Sequence, residues 1–368
     1  MQSDRRREWF RRSTPAGAVI AAALLATGIA ACGSSGGSGG SASGTTAADG
    51  KSFYDGKTIT WDVPDPPGTG FYTTATILAP ALGKYLNATV NIVSIPAGGT
   101  IAGQDQAAAA PADGLTIGVI NASTDVANEA TKQPDVNFDM QKEELIAGLP
   151  INPEVFVVQP SSPYKAWQDL VAAGGLKSVA VTGSNEVLEK GIYTGYGINA
   201  QLIAGYEAPP DEVAGFLRGD ALLGANSVPT FASAVAAGKA RALLVTGPVL
   251  AGMSGYAQLK SVPTLAKIAQ DNPPKTAAQQ AAIKAMEALF GQAAVNQVYF
   301  CPPGTPASLV SALSAAFKAI TSEASVKAAF IKQNLTPGYL SQSQVTAAVK
   351  SDLAQEPAIA AAAGNYQG

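Results

Sequence analysis

From Lys57 onward, short runs rich in β-branched residues alternate with longer stretches of helical periodicity. "TITWDV" reads as a strand, and across 73–86 the residues Ile77, Leu78, Ala81, Leu82, Tyr85 and Leu86 recur at helical spacing. Pro80 lies inside that stretch and predicts a kink or a break. "ATVNIVSI", "GLTIGVI", "KSVAVTG", "RALLVTG" and "NQVYFCPPGTP" read as further strands, with helical segments between them. "ALLGA" reads as extended, "NASTD" and "NSVP" as polar loops, and "EVFVVQP" as an apolar run passing between lobes. "GYGINAQLIAGY" continues or breaks the helix before it. Thr305 suits an N-cap with Pro306 in the first helical position, and Ser341 suits the cap of a C-terminal helix. Such alternation means a parallel or mixed sheet with helices on its faces. In sheets of this kind, ligands bind in the crevice outside the carboxyl ends of the strands.

The start of the chain has a different character. A basic segment ends at Arg12, and "AGAVIAAALLATGIAA" then runs to Ala31, short for a membrane span and closed by small residues. Residues 1–31 therefore read as a signal peptide. Ile29-Ala30-Ala31-Cys32-Gly33 resembles the bacterial lipobox, which makes Cys32 the lipidated first residue of the mature chain. Arg6-Arg7 and Arg11-Arg12 leave the export route open between the general and the twin-arginine systems. Residues 32–57, opening "CGSSGGSGGSASG", read as a Gly/Ser tether. With Cys32 lipidated, Cys301 has no disulfide partner and reads as a buried thiol.

Charge and residue types narrow the chemistry. The net charge of −3 includes five arginines among the first 31 residues, so the remainder is more acidic still, which argues against nucleic acid as a partner. There is no histidine, no cluster of metal-ligand spacing and, outside the Gly/Ser tether, no G-x-S-x-G that could form a nucleophile elbow. An enzyme built here needs another base, such as lysine beside a serine. No catalytic residue, metal or cofactor is assigned.

The turn "PPGTGFYT" after the first strand admits three readings. A dinucleotide turn wants a third glycine where Thr73 stands and an acid after the next strand, which ends in Val93-Ser94-Ile95. A P-loop wants a lysine that is absent. What is left is a cradle of backbone amides at a helix N-terminus, or a tight turn with only a structural role. "VAVTGSNEVLE" repeats the arrangement through Gly183-Ser184-Asn185.

The order of these segments resembles the solute receptors of tripartite tricarboxylate transporters. The family's opening strand and glycine-rich turn are matched by Val63-Pro64-Asp65-Pro66-Pro67-Gly68-Thr69-Gly70-Phe71-Tyr72. Its second turn is matched by Pro96-Ala97-Gly98-Gly99-Thr100, and its Pro-Asp-Gly motif by 110–117. The Gly-Lys-x-Arg-Ala-Leu segment falls at 238–246, Val-Pro-Thr at 262–264 and Pro-x-Gly-Thr-Pro at 302–306. The similarity covers most of 58–355. Tyr72 stands where the family has an aspartate, and about 267–294 reads as an inserted helical piece.

The resemblance implies an α/β, two-lobed, type II periplasmic-binding-protein-like fold with a ligand cleft between lobes. Lobe 1 would be 58–159 with 249–368, and lobe 2 would be 160–248. It implies a monomeric receptor outside the cytoplasm, lipid-anchored to the outer face of the cytoplasmic membrane. Its partners would be a small organic carboxylate and the membrane subunits of the transporter. The gripping residues would be Gly68, Thr69, Gly70, Phe71 and Tyr72 from one lobe, with Ser184 and Asn185 from the other. Ser123, Thr124, Asn226 and Ser227 join them because they end strands in polar loops, where each also suits a helix cap. The two rings at 71–72 imply a ligand with an apolar or aromatic body. A secreted α/β hydrolase or transferase, and a receptor that presents its ligand to a membrane sensor, are the alternatives.

Overall fold

The structure, a computed structural model, describes residues 47–96, 100–130, 138–181, 184–206, 209–364 and 366. The signal peptide, Cys32, most of the tether, Ala97-Gly98-Gly99 and Thr182-Gly183 lie outside the described residues, as does the side chain of Ser184.

The elements follow the chain in this order. Helix α1 (Ala47–Phe53) precedes β1 (Thr58–Val63), α2 (Gly70–Leu86), β2 (Thr89–Ser94), α3 (Ile101–Ala108), β3 (Thr116–Asn121) and α4 (Ala122–Ala130). Next come β4 (Glu144–Pro150), β5 (Glu154–Val158), α5 (Trp167–Val171), β6 (Leu176–Val181), α6 (Ser184–Tyr196) and β7 (Ala200–Tyr206). They lead to α7 (Pro209–Arg218), β8 (Leu223–Ser227), α8 (Val228–Ala236), β9 (Arg241–Val245), α9 (Tyr256–Leu259), α10 (Leu265–Asp271) and α11 (Ala277–Phe290). The chain ends with β10 (Val295–Cys301), α12 (Ala307–Ser322), α13 (Ala324–Lys332), β11 (Leu340–Ser341), α14 (Gln342–Leu353) and α15 (Glu356–Gly364).

Two mixed sheets result. The first runs β11-β4-β10-β3-β1-β2, with β1 parallel to β2 and β3, and β10 antiparallel to β3 and β4. The second runs β7-β6-β8-β5-β9, with β6 parallel to β7 and β8, and β5 antiparallel to β8 and β9. One apolar core joins them: Ile120, Leu145 and Val298 of the first sheet share a cluster with Phe156, Leu223 and Leu244 of the second.

Several expectations are corrected. The tether was expected to reach residue 57, but α1 forms within it. Tyr54, just past α1, is fully buried and donates from its hydroxyl to the Gly114 carbonyl at 3.1 Å. A Cβ on Gly50 would lie 2.2 Å from the Ser308 carbonyl oxygen, so α1 meets α12 backbone to backbone. "EVFVV" does not merely pass between lobes, and it does not belong with 58–153. It is β5 of the second sheet, flanked by β8 and β9 and buried at all five positions, as an internal strand must be. "NASTD" and "NSVP" are not loops, since α4 and α8 begin directly after β3 and β8. "GYGINAQLIAGY" breaks: Gly197 takes φ +67 and β7 follows. Pro80 neither ends nor divides α2, whose run is continuous, and its ring is exposed. Helix α12 starts one residue later than expected, with Pro306 at the N-cap, because the Thr305 hydroxyl donates to the Pro302 carbonyl instead. Ser341 caps α14 as expected, accepting from the Gln344 amide. Cys301 is a buried free thiol, pushed up to about 12 chiefly by burial. The expected inserted piece contains α11, which lies on α6. Close approach there requires glycine: a Cβ on Gly195 would sit 2.4 Å from Ile283 Cδ1.

The two sheets are joined where strand carboxyl ends meet. Only residues 151–153 separate the end of β4 from the start of β5, a reach of roughly 10 Å at full extension. The chain leaves the second sheet again just after β9, and the two crossings clasp. The Glu154 N–H donates to Thr246 Oγ1 at 2.9 Å, and the Thr246 N–H donates to the Glu154 carbonyl at 2.9 Å. Thr246→Val keeps the shape but leaves the buried Glu154 amide without an acceptor. Urea unfolding should show a loss of about 1–3 kcal/mol, and an unchanged midpoint and slope would count against the clasp.

Candidate functional site

The topology puts one edge of each sheet at this junction. On the first sheet the edge holds the ends of β1, β2, β3 and β4; on the second it holds the ends of β6, β8 and β9 and the start of β5. The expected site residues fall on these two edges.

On the first edge, Gly68 has φ +94, and a Cβ there would meet nothing within 4 Å, so the turn requires glycine for its backbone and not for space. Thr69 holds the N-cap position of α2 in extended geometry, but its hydroxyl donates to the Pro66 carbonyl at 2.9 Å and caps no amide. No side chain at the N-cap takes up the first amides of this 17-residue helix, and the positive end of the helix lies behind them. Phe71 is placed differently from expectation. It is 9% exposed and lies in the core with Trp61 and Leu78, so the turn offers its amide while its ring packs inward. Tyr72 is half-buried against the same core.

Ser123 and Thr124 begin α4 and are buried. The Ser123 hydroxyl and the Thr124 amide both donate to Asn121 Oδ1, at 3.1 and 3.4 Å. Beneath them Gln104 Nε2 donates to Asp125 Oδ2 at 2.8 Å, and burial holds the Asp125 carboxyl well above the usual carboxylate range.

On the second edge, Asn185 in the first turn of α6 stands by the carboxyl of Glu154 and pulls it down against the larger effect of burial. Asn226 engages both ends of its amide within the fold. Its Nδ2 donates to Glu212 at 2.6 Å, and its Oδ1 accepts from the Ser227 amide at 2.8 Å and the Thr230 hydroxyl at 3.0 Å. Ser227 precedes α8 with its hydroxyl 2.9 Å from Thr230 Oγ1. These contacts fasten β8 to α7 and α8.

Sequence reasoning placed Glu189 at a helix N-terminus, where it would compete with an anion, but missed that it is buried, and missed Glu154 and Glu212 altogether. Their one signal is position: Glu154 opens an otherwise apolar strand, and Glu189 and Glu212 lie on the inner faces of α6 and α7. Glu189 accepts from the Ser178 and Tyr193 hydroxyls, at 2.5 and 3.0 Å. Burial raises Glu154 and Glu189 to about 8 each. Burial, then the charges of Glu189 and Glu154, raises Glu212 to about 9.

The family follows from the sequence as a whole. Residues 75–364 match the model of the tripartite tricarboxylate transporter family receptor, TctC. The chain belongs to this receptor family. Its members bind solutes and are not enzymes. The matched range begins at Ala75, just past the Gly68–Tyr72 turn. No curated protein sequence matches this receptor. Solved structures share its fold. A TctC solute binding protein from Polaromonas is 19% identical, with TM-score 0.64, covering 83% of this chain and 98% of that one. MatC from Rhodopseudomonas palustris with bound malate is 17% identical, with TM-score 0.62 and coverage of 83% and 99%. A second Rhodopseudomonas palustris protein, with adipate, is 18% identical, with TM-score 0.64 and coverage of 84% and 97%. The receptor is therefore a two-lobed α/β protein of the periplasmic-binding type.

The buried acids give the receptor a defined pH response. Each holds its proton in the fold up to about 8 or 9 and loses it in the unfolded chain near 4.5. Their contribution is fully present below 4.5 and is lost as pH rises through the folded values. Melting temperature should fall from pH 5 to pH 9. Glu212→Gln, which copies the protonated acid, should flatten that slope; circular dichroism melts at unit pH steps would show it, and a parent curve flat over this range would refute it.

Proposed function

We propose that this receptor stands outside the cytoplasm and closes its two sheet edges on a small organic carboxylate, which it delivers to the membrane subunits of a tripartite tricarboxylate transporter. The observation that carries the reading is the start of α2, which no side chain caps, at the end of β1 on one edge, with α6 starting after the end of β6 on the other. Two helix N-termini approaching one small molecule supply backbone donors and partial positive charge without any basic side chain. Gly68, Thr69 and the amides of Gly70, Phe71 and Tyr72 grip from the first lobe; Ser184 and Asn185 grip from the second. Ser123, Thr124, Asn226 and Ser227 shape the edges beside them. The lobes divide at 151–153 and again after Thr246. The malate and adipate in its structural relatives support a carboxylate, and the inward ring of Phe71 leaves Tyr72 as the aromatic wall for any apolar body.

A thermal-shift panel of malate, adipate, succinate, citrate and benzoate on residues 47–368 tests this. A true ligand at ~100 times its Kd adds ~2.7 kcal/mol of stability. Failure of the whole panel, and of longer and aromatic acids after it, would overturn the reading.

We also propose that Cys32 carries the lipid that holds the receptor at the membrane. Labelling cells with a fatty-acid analogue should mark the parent protein and not Cys32→Ser. Equal label on both would remove the anchor.

A further inference from the structure

Three carboxyl groups at the second sheet have no task in that reading, and one of them lies on the edge itself. Glu154 opens β5 at the clasp, with its backbone fixed on both sides by Thr246. It is only 8% exposed. Its carboxyl stands by Asn185 at the start of α6, and Oε2 is buried with no hydrogen-bond partner among the described residues. Behind it Glu212 and Glu189, both fully buried, each have one oxygen bonded and Oε1 without a partner.

Among the described residues, the groups around Glu154 offer no positive charge. Helix α6 brings Asn185, Glu189 and Tyr193, α7 brings Glu212, and the C-terminal segment brings Tyr366, stacked on Tyr193. Strand β8 contributes Asn226 and Ser227, and β9 leads to Thr246. Arg241 lies at the far end of β9, opposite Val158, where it donates to the Tyr164 and Pro160 carbonyls. Lys190 of α6 pairs with Glu186 at 2.7 Å. A charged carboxylate at Glu154 would be desolvated beside two other acids. A neutral one carries an O–H, and the described residues supply no acceptor for it on Oε2. Of the three acids with an unpartnered oxygen, only Glu154 opens a strand at the sheet edge, opposite Ser227.

We propose that Glu154 is a specificity residue that meets the ligand as a neutral carboxylic acid, donating its Oε2 hydrogen to a carboxylate oxygen of the bound solute. The proposal rests on the carboxylate reading above and deepens it. A protonated acid does here what arginine does in other anion sites, with one difference. It fails when it titrates, because the ionised form repels the ligand. Burial puts that point at about 8. Affinity is then level below pH 7 and falls about tenfold for each pH unit above 8.

The test uses malate and adipate as probes, titrated calorimetrically into the full body, residues 47–368, from pH 6 to pH 10. The parent should show the falling limb. Glu154→Ala should weaken binding at pH 7 roughly ten- to a hundredfold, as loss of a hydrogen bond to a charged group does. Glu154→Gln, which keeps a donor and cannot titrate, should remove the limb. A measurement without ligand runs beside it: carbon-13 NMR of labelled glutamate carboxyls, with Glu154 assigned by its absence in Glu154→Gln. A Glu154 signal titrating near 4 overturns the proposal whatever binds. Binding that is level with pH and indifferent to Glu154→Ala overturns it while leaving the carboxylate reading intact. If Glu154 titrates near 8 and no acid of the wider panel binds, the carboxylate reading falls and the donor role falls with it.

Discussion

Everything in this receptor that could close on a ligand hangs from the paired hydrogen bonds between Glu154 and Thr246. They lie where the chain crosses between sheets in both directions. A three-residue connection adds little restraint of its own at the junction, beyond the core that the two sheets share. The reciprocal pair, both partners buried, turns two crossings into one ribbon and fixes which strand ends face each other. The same residue then presents its carboxyl at that edge. Mechanical and chemical roles coincide at Glu154 because a strand that opens at the junction has its first side chain there and nowhere else.

Much of the fold was legible in the sequence because it follows from local rules. Periodicity gave α2, and Ser341 gave α14 its start, since a cap and its amide lie three residues apart in any context. What escaped depended on distant partners. Helix α1 has seven residues in a stretch that begins as Gly/Ser-rich, too short to hold itself. Tyr54 and the bare backbone of Gly50 hold it against Gly114 and α12, and nothing near them in the sequence says so. The sheet to which β5 belongs was hidden for a related reason. A five-residue apolar run looks the same in either sheet until its neighbours are known.

The candidate site divides along the same line. Glycine and threonine at 68–70 announced a turn that opens a helix, and the structure has that turn. The direction of Phe71 could not be read from spacing, because one residue into a helix a ring turns toward core or solvent according to what stands behind it; here Trp61 and Leu78 do. The acids were further out of reach. A glutamate on a helix reads as a solvated face until the opposite element is seen to cover it. Asn226 shows the reverse case: a polar strand end that looked open is bound on every side by Glu212, Ser227 and Thr230.

The strand order also carries a history of assembly. Every strand of the second sheet lies between residues 154 and 245, an unbroken stretch of chain. The first sheet is interrupted by that stretch. Its β3 and β4 are not neighbours, and the strand that fits between them, β10, is made only at 295–301. A chain appearing N-terminus first therefore has every strand of the second sheet before the first sheet receives the strand at its centre, with Ile120 and Leu145 waiting for it. The arrival of β10 closes that gap and with it the core common to both sheets. The lobe that comes first in the sequence is the last to be finished.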